Sequence, residues 1–436
     1  MRARQAAAMA LLAMLAACGG GGGGSTPAGS SSCDVAAQNQ WLHDYMNDWY
    51  YWSGSAPIPD PAGYASVASY FDALRFAGNT TVPRDHWSYF EATADYNQFY
   101  QEGKTLGWGL FVNGLELSLP LKLRYVEPAS PAALAGLKRG DVILSLNGRS
   151  ADDIVAHNDF SALNAASEGQ QLTIEISNAG GTRSLVLVAA TYDLTPVSVT
   201  QVLTLPGGAK AGYLVLKDFI TQAEAPLASA FQQFRAAGAT ELILDLRYNG
   251  GGRVSTSNVL ASLVSGASHS GQAFVRLDYN GNHASSNTQF TLASAPGPAF
   301  TRVVVLTGAR TCSASELIVN GLKPFANVVT IGGATCGKPF GFSPTASCGN
   351  TFSAVNFESF NAQGEGRYYN GIGATCAVAD DFSGELGDPA ERLTAAALGY
   401  LQNGVCPVTA RAQAQAVRRR GPVVAEPGER QGMWVD

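Results

Sequence analysis

The chain reads as a multidomain α+β and α/β protein: a small N-terminal helical cap, a β-rich middle domain and a βαβ-type core. Aromatic residues recur at helical spacing near the N-terminus, glycine-punctuated β-type runs follow, and from about Val197 strands alternate with helical patterns. With 436 residues, 46% of them apolar, there is material for several cores. The charged fraction is 14%, against roughly 25% in ordinary soluble chains, which excludes disorder throughout. Net charge is -6 and the one basic block is Arg418 to Arg420, so no nucleic-acid partner is expected.

Residues 1–18 read as a signal peptide. Arg2 and Arg4 give a basic start, Ala6 to Leu15 an apolar run too short to span a bilayer, and Leu15-Ala16-Ala17-Cys18 a small-residue cleavage site. Residues 19–32 are rich in glycine and serine and form a tether. The placement of Cys18 resembles the bacterial lipoprotein box, which implies lipidation of that thiol. It also implies a membrane anchor in the cell envelope facing the periplasm, with Gly19 and Gly20 favouring the outer membrane. An ordinary signal with a chance cysteine is the alternative.

The cap covers residues 33–103. Trp41, Tyr45, Trp49 and Trp52 form one helical stripe and Tyr70, Phe71 and Leu74 another, separated by Pro57, Pro59 and Pro61. Stripes of this kind are core packing, and no chemistry is attached to them. Residues 104–192 are the β-rich domain. Within it, Ser130 caps a helix with Pro131 at its first position and Gly136 at its end. Val142 to Leu146 is a strand that turns at Asn147-Gly148. The phrase from Glu127 to Gly148 resembles a PDZ domain, which implies capture of a peptide C-terminus by strand addition. The carboxylate-binding loop implied is Gly107, Trp108, Gly109 and Leu110.

Residues 193–407 are the core. Tyr213 to Leu216, Leu242 to Leu246, Val303 to Leu306 and Val328 to Ile331 read as strands. Between them stand helical patterns, including Val254 to Leu263 and Ala314 to Leu322. Residues 408–436 lose periodicity and read as a flexible tail.

Six cysteines remain once Cys18 is set aside: Cys33, Cys312, Cys336, Cys348, Cys376 and Cys406. An even number in an exported chain predicts disulfides, whose pairing spacing alone does not choose. No metal or other cofactor is expected, because the five histidines fall in no ligand spacing and no CxxC occurs.

The chemistry gathers where strands end. Thr311-Cys312-Ser313-Ala314-Ser315-Glu316 follows one buried strand, and Thr335-Cys336-Gly337-Lys338 follows the next. Open α/β sheets place ligands at such C-terminal strand ends. Ser313 to Glu316 is also a capping box, and Lys338 taken alone fits a surface loop. With Asp245 to Gly252 at a third strand end, the set resembles the C-terminal processing peptidases, also called tail-specific proteases. In that family the serine opens an S-A-S-E-type phrase and a lysine follows 25 residues later, as Lys338 follows Ser313. Arg84 to Phe90 resembles the family's D-x-x-S-x-F segment ahead of the PDZ domain, with His86 on a variable position.

The resemblance implies an exported serine endopeptidase that takes polypeptides with accessible C-termini. Ser313 is then the nucleophile and Lys338 the base, with oxyanion donors from the backbone of Gly251, Gly252 and Ala314. A lysine acts as base only when neutral, which desolvation can achieve. One position departs from the pattern: many relatives carry a glutamine four residues after the lysine, and here Phe342 stands there. The alternative readings are a non-cutting, peptidase-like lipoprotein that only binds tails, and a hydrolase of non-peptide esters.

Overall fold

The computed structural model describes residues 32–114, 119–407 and 432–435. The signal peptide, the Cys18 site, residues 19–31 of the tether and residues 408–431 lie outside the described residues. Among the described residues no helix is long and apolar enough to cross a membrane.

The core is a six-stranded sheet in the order Val197–Thr204, Lys210–Leu216, Glu241–Asp245, Arg302–Thr307, Asn327–Gly332 and Cys376–Ala377. Its first pair is antiparallel and the rest run parallel. The run Val303, Val304, Val305 and Leu306 is apolar throughout because both faces of the sheet are covered. Leu227, Phe231, Leu260 and Leu317 from three helices bury one face, and Leu393, Ala397 and Leu401 from the helix Arg392–Asn403 bury the other.

A second six-stranded sheet has the order Gly251–Arg253, Gly432–Trp434, Phe340–Phe342, Val355–Asn361, Ala273–Tyr279 and Thr288–Thr291. This corrects the expectation of a flexible tail through residue 436. Met433 and Trp434 are buried, and Trp434 stacks edge-on with Tyr100 at 4.1 Å. Burial of those two side chains outweighs the local loss of pattern around them.

The β-rich domain has its own core, with Leu123, Ile143, Ile174 and Leu187 inside. Its four-stranded sheet runs Arg149–Ser150, Val142–Leu146, Gln171–Asn178 and Gly181–Val188. The helix there is shorter than the phrase predicts, Pro131–Leu134, and Gly136 leaves it at φ +71°. In the cap, the helix Val35–Trp49 carries Trp41, Tyr45 and Trp49 but ends before Trp52, which sits in the following turn, and Val67–Leu74 carries the second stripe. They do not pack on each other alone. Trp41, Tyr45, Trp52 and Phe71 share one cluster with Phe340, Phe342 and Phe352, and the strand Tyr89–Ala92 pairs with Asn350–Ser353. Disulfides join Cys33 to Cys348, Cys312 to Cys336 and Cys376 to Cys406.

Candidate active site

Ser313 sits between the buried strand Arg302–Thr307 and the helix Ala314–Gly321. The loop that delivers it is pinned twice: Thr311 Oγ1 donates to the Leu246 carbonyl at 2.9 Å and the Cys312 N–H to the Asn249 carbonyl at 3.1 Å. Ser313 itself has φ 59° and ψ -113°, a conformation that side chains other than glycine rarely adopt. Such strain persists only where the surroundings enforce it, and functional sites are where it concentrates. The same φ changes the capping expectation. An N-cap serine normally has extended backbone. Here the buried Ser313 hydroxyl has no hydrogen-bond partner, so the glutamate half of the box does the holding.

Glu316 is the hub of the site. Its Oε2 accepts the backbone N–H of Ser313 at 2.9 Å and of Lys338 at 2.8 Å, while Oε1 accepts the Gly337 N–H at 2.8 Å and the Thr335 hydroxyl at 2.5 Å. The carboxyl is fully buried, and that burial raises its pKa against the opposing pull of those donors. The Cys312–Cys336 disulfide is a covalent strap between the same two loops.

Lys338 is completely buried, and desolvation lowers its amine to about 7, with Asp85 and Glu316 pulling the other way. Its Nζ lies 3.8 Å from the centroid of the Phe342 ring. Asp85 comes from the segment ahead of the β-rich domain, where its carboxylate accepts the N–H groups of Trp87 at 2.9 Å and Ser88 at 3.0 Å and the Tyr50 hydroxyl at 2.5 Å. Ser313 and Lys338 are thus held on adjoining loops by one carboxylate and one disulfide. Their side chains share no hydrogen bond, because the hydroxyl has none.

Among the backbone groups, Ala314 is the first helical residue, so its N–H has no intrahelical acceptor. The Gly251 N–H is already engaged, donating to Asn249 Oδ1 at 2.8 Å, which departs from its expected part as an oxyanion donor. The sequence could not show that the asparagine side chain folds back on its own loop. Gly252 has φ +137°, and a Cβ there would stand 2.2 Å from the Phe219 carbonyl oxygen, so only glycine fits. Behind this loop, Arg247 forms a two-pronged contact with Glu391 at 2.7 and 3.0 Å and reaches Asp245 at 2.9 Å.

In the β-rich domain, Gly107 ends the strand Lys104–Gly107 and Leu110 begins Leu110–Val112. Between them, Trp108 is buried and its carbonyl accepts the Ala132 N–H at 2.9 Å. Gly109 has φ +74° and lies so near Ser130 that a Cβ would meet that side chain at 1.9 Å. The expected carboxylate-binding loop therefore rests on the first turn of the Pro131–Leu134 helix. Among the described residues Cys312, Glu316 and Cys336 could group about a cation, but the two sulfurs are joined to each other.

Four contributors escaped the sequence reading: Glu316 as a hub, Asp85, Asn249 and Phe342 as a contact of the lysine. The S-A-S-E and D-x-x-S phrases held a signal for the first two, and Asn249 lay within the phrase Asp245 to Gly252.

A mostly parallel sheet covered by helices on both faces, preceded by a small β-rich domain and a helical cap, defines the class as an α/β core with accessory domains. Three family models match the chain: the peptidase S41 N-terminal domain over residues 37–89, a PDZ domain over 123–177 and peptidase family S41 over 210–373. The chain thus carries a peptidase family S41 domain together with that family's N-terminal domain.

Carboxyl-terminal-processing peptidase 3, chloroplastic, of Arabidopsis thaliana is 26% identical over 54% of this chain and 46% of its own. The carboxyl-terminal-processing protease of a Picosynechococcus species is 29% identical over 54% of this chain and 55% of its own. The chain thus spans about half the length of the curated relatives it matches. A crystal structure from Bacteroides fragilis assigned to the S41 proteases shares the fold, with a TM-score of 0.67 at 22% identity, covering 84% of this chain and 97% of that one.

Proposed function

We propose that this chain is an exported serine endopeptidase that captures protein C-termini through its PDZ domain and cleaves them with Ser313 and Lys338. The observation that carries the reading is the fully buried Lys338 amine, lowered to about 7 and tied through Glu316 to the loop of Ser313. A neutral amine there accepts the Ser313 hydroxyl proton as Oγ bonds to the peptide carbonyl carbon. The oxyanion meets the N–H of Ala314, with Gly252 on the glycine loop that follows the strand Glu241–Asp245. Gly251 joins them once its N–H leaves Asn249. The Lys338 ammonium then gives its proton to the leaving amine, the C–N bond breaks, and water activated by the same lysine releases the acyl group. The absent hydroxyl–amine hydrogen bond fits this sequence, since such contacts commonly tighten only in the Michaelis complex.

The substrate class follows from the relatives' printed names, carboxyl-terminal-processing, and from the PDZ domain. The signal-like start and the cysteine after Ala17 support a lipid anchor at Cys18 and a periplasm-facing position, and Gly19 and Gly20 support the outer membrane. Radiolabelled palmitate should enter the wild-type chain in a bacterial host and not Cys18→Ser.

The test of catalysis uses purified wild type, Ser313→Ala and Lys338→Ala with unfolded proteins that end in apolar residues. Cleavage by the wild type alone supports the reading. Equal inertness of all three, with tail binding retained, would install the second reading, a tail-binding lipoprotein that does not cut. The lone Ser313 hydroxyl is what favours that alternative.

A further inference from the structure

The Phe342 ring stands directly against the buried amine, with the Lys338 Nζ 3.8 Å from its centroid. Lys338 and Phe342 are 0% and 1% exposed, so the pair is shielded from bulk solvent. The ring is held on every side. Its strand Phe340–Phe342 pairs with Val355–Asn361 on one side and with Gly432–Trp434 on the other, and Tyr89 packs edge-on at 5.8 Å. Lys338 lies two residues before the strand Phe340–Phe342, whose pairing with Val355–Asn361 shifts register between Gly341 and Phe342, and the amine meets the ring face there.

The face of an aromatic ring carries negative charge density and attracts an ammonium within about 6 Å, most strongly where the pair is desolvated. The charged groups around the amine come from other elements. Asp85 from the segment before the PDZ domain and Glu316 from the Ala314–Gly321 helix both favour its protonated form. His86, when protonated, opposes it. The ring adds an attraction of the same sign as the carboxylates, and it does not titrate.

We propose that Phe342 is a positioning residue of Lys338, its ring face holding the ammonium by a cation–π contact. The inference rests on the reading of Lys338 as the base. In that role the contact acts when it is needed. The amine becomes charged as it takes the Ser313 proton, and the ring attracts it more in that state than before.

The experiment replaces Phe342 with mono-, di- and trifluorophenylalanine, which keep the ring's shape and drain its face, and follows two readouts. One is the acid limb of peptide hydrolysis against pH, and the other is the Lys338 titration by 13C NMR of its ε-carbon, which needs no turnover. Both midpoints should fall stepwise with fluorine number, by about one pH unit over the series. Phe342→Tyr should keep the wild-type midpoint, and the KM for tail peptides should stay unchanged. Midpoints that stay fixed across the fluorinated series overturn the proposal, because a merely space-filling ring predicts that result. If the NMR midpoint falls while the wild type cleaves nothing, the ring contact stands and the assignment of Lys338 as base is what fails.

Discussion

Ser313 and Lys338 donate their backbone N–H groups to the same atom, Oε2 of Glu316, at 2.9 and 2.8 Å. Nucleophile loop and lysine loop are therefore tethered through a single acceptor. Side-chain chemistry at 313 and 338 inherits its alignment from a residue that does not itself touch the reacting atoms.

The first prediction concerns Glu316→Gln. A glutamine keeps one acceptor oxygen and turns an NH2 toward the remaining donors, so either the Gly337 N–H or those of Ser313 and Lys338 then face a donor. Leaving one buried N–H unpaired costs about 1–3 kcal/mol, measurable as a lower urea midpoint. Activity should fall further than stability explains, since both loops lose their common anchor. Unchanged activity in a folded Glu316→Gln would show that the tether is dispensable.

The second concerns pH. The base form of Lys338 is neutral, and burial lowers the amine to about 7, so hydrolysis should rise through that pH and level off above it. Rates for a short reporter peptide between pH 5 and 9 provide the check, and a flat profile would count against Lys338.

The third concerns stability in the same window. In the unfolded chain the lysine titrates near its ordinary value of about 10.4, whereas in the folded chain it does so at about 7. Between these values the unfolded state binds the extra proton, so stability rises with pH across the interval. Lys338→Met should remove that slope and melt higher than wild type at pH 7, because an apolar side chain replaces a buried amine. Thermal melts at pH 7 and pH 10 compare the two. A Lys338→Met protein that keeps the slope would place its origin elsewhere.

The fourth separates two disulfides. The Cys312–Cys336 bond closes a sequence separation of 24 residues and Cys376–Cys406 one of 30, so replacing either pair by serine should cost a similar amount, about 3 kcal/mol. Only the first bridges the loops of Ser313 and Lys338. Hydrolysis at low temperature, where both variants stay folded, should drop for Cys312→Ser with Cys336→Ser and hold for the other pair.

Much of this was legible in the chain. Alternating patterns exposed the parallel sheet because its strands are apolar on both faces, as Val303 to Leu306 are. The phrases around Ser313 and Lys338 survived as local signals because each spans one strand end. What stayed hidden depends on contacts between distant segments. Cys33 pairs with a partner 315 residues away. The contact between Phe342 and the lysine depends on where the strand Phe340–Phe342 lies, and Asp85 reaches the amine's surroundings from outside the core. The aromatic cap looked self-contained, yet Phe340, Phe342, Phe352, Ala354, Val355 and Trp434 are buried in the same cluster.

The strand Gly432–Trp434 lies between Gly251–Arg253 and Phe340–Phe342, joining the glycine loop to the lysine strand. A nascent chain on the ribosome reaches every other part of this sheet before it reaches that wedge. Within the sheet the two segments it joins are not bridged until translation has passed residue 434, so the sheet behind the lysine closes last, after the segment that carries it has been made.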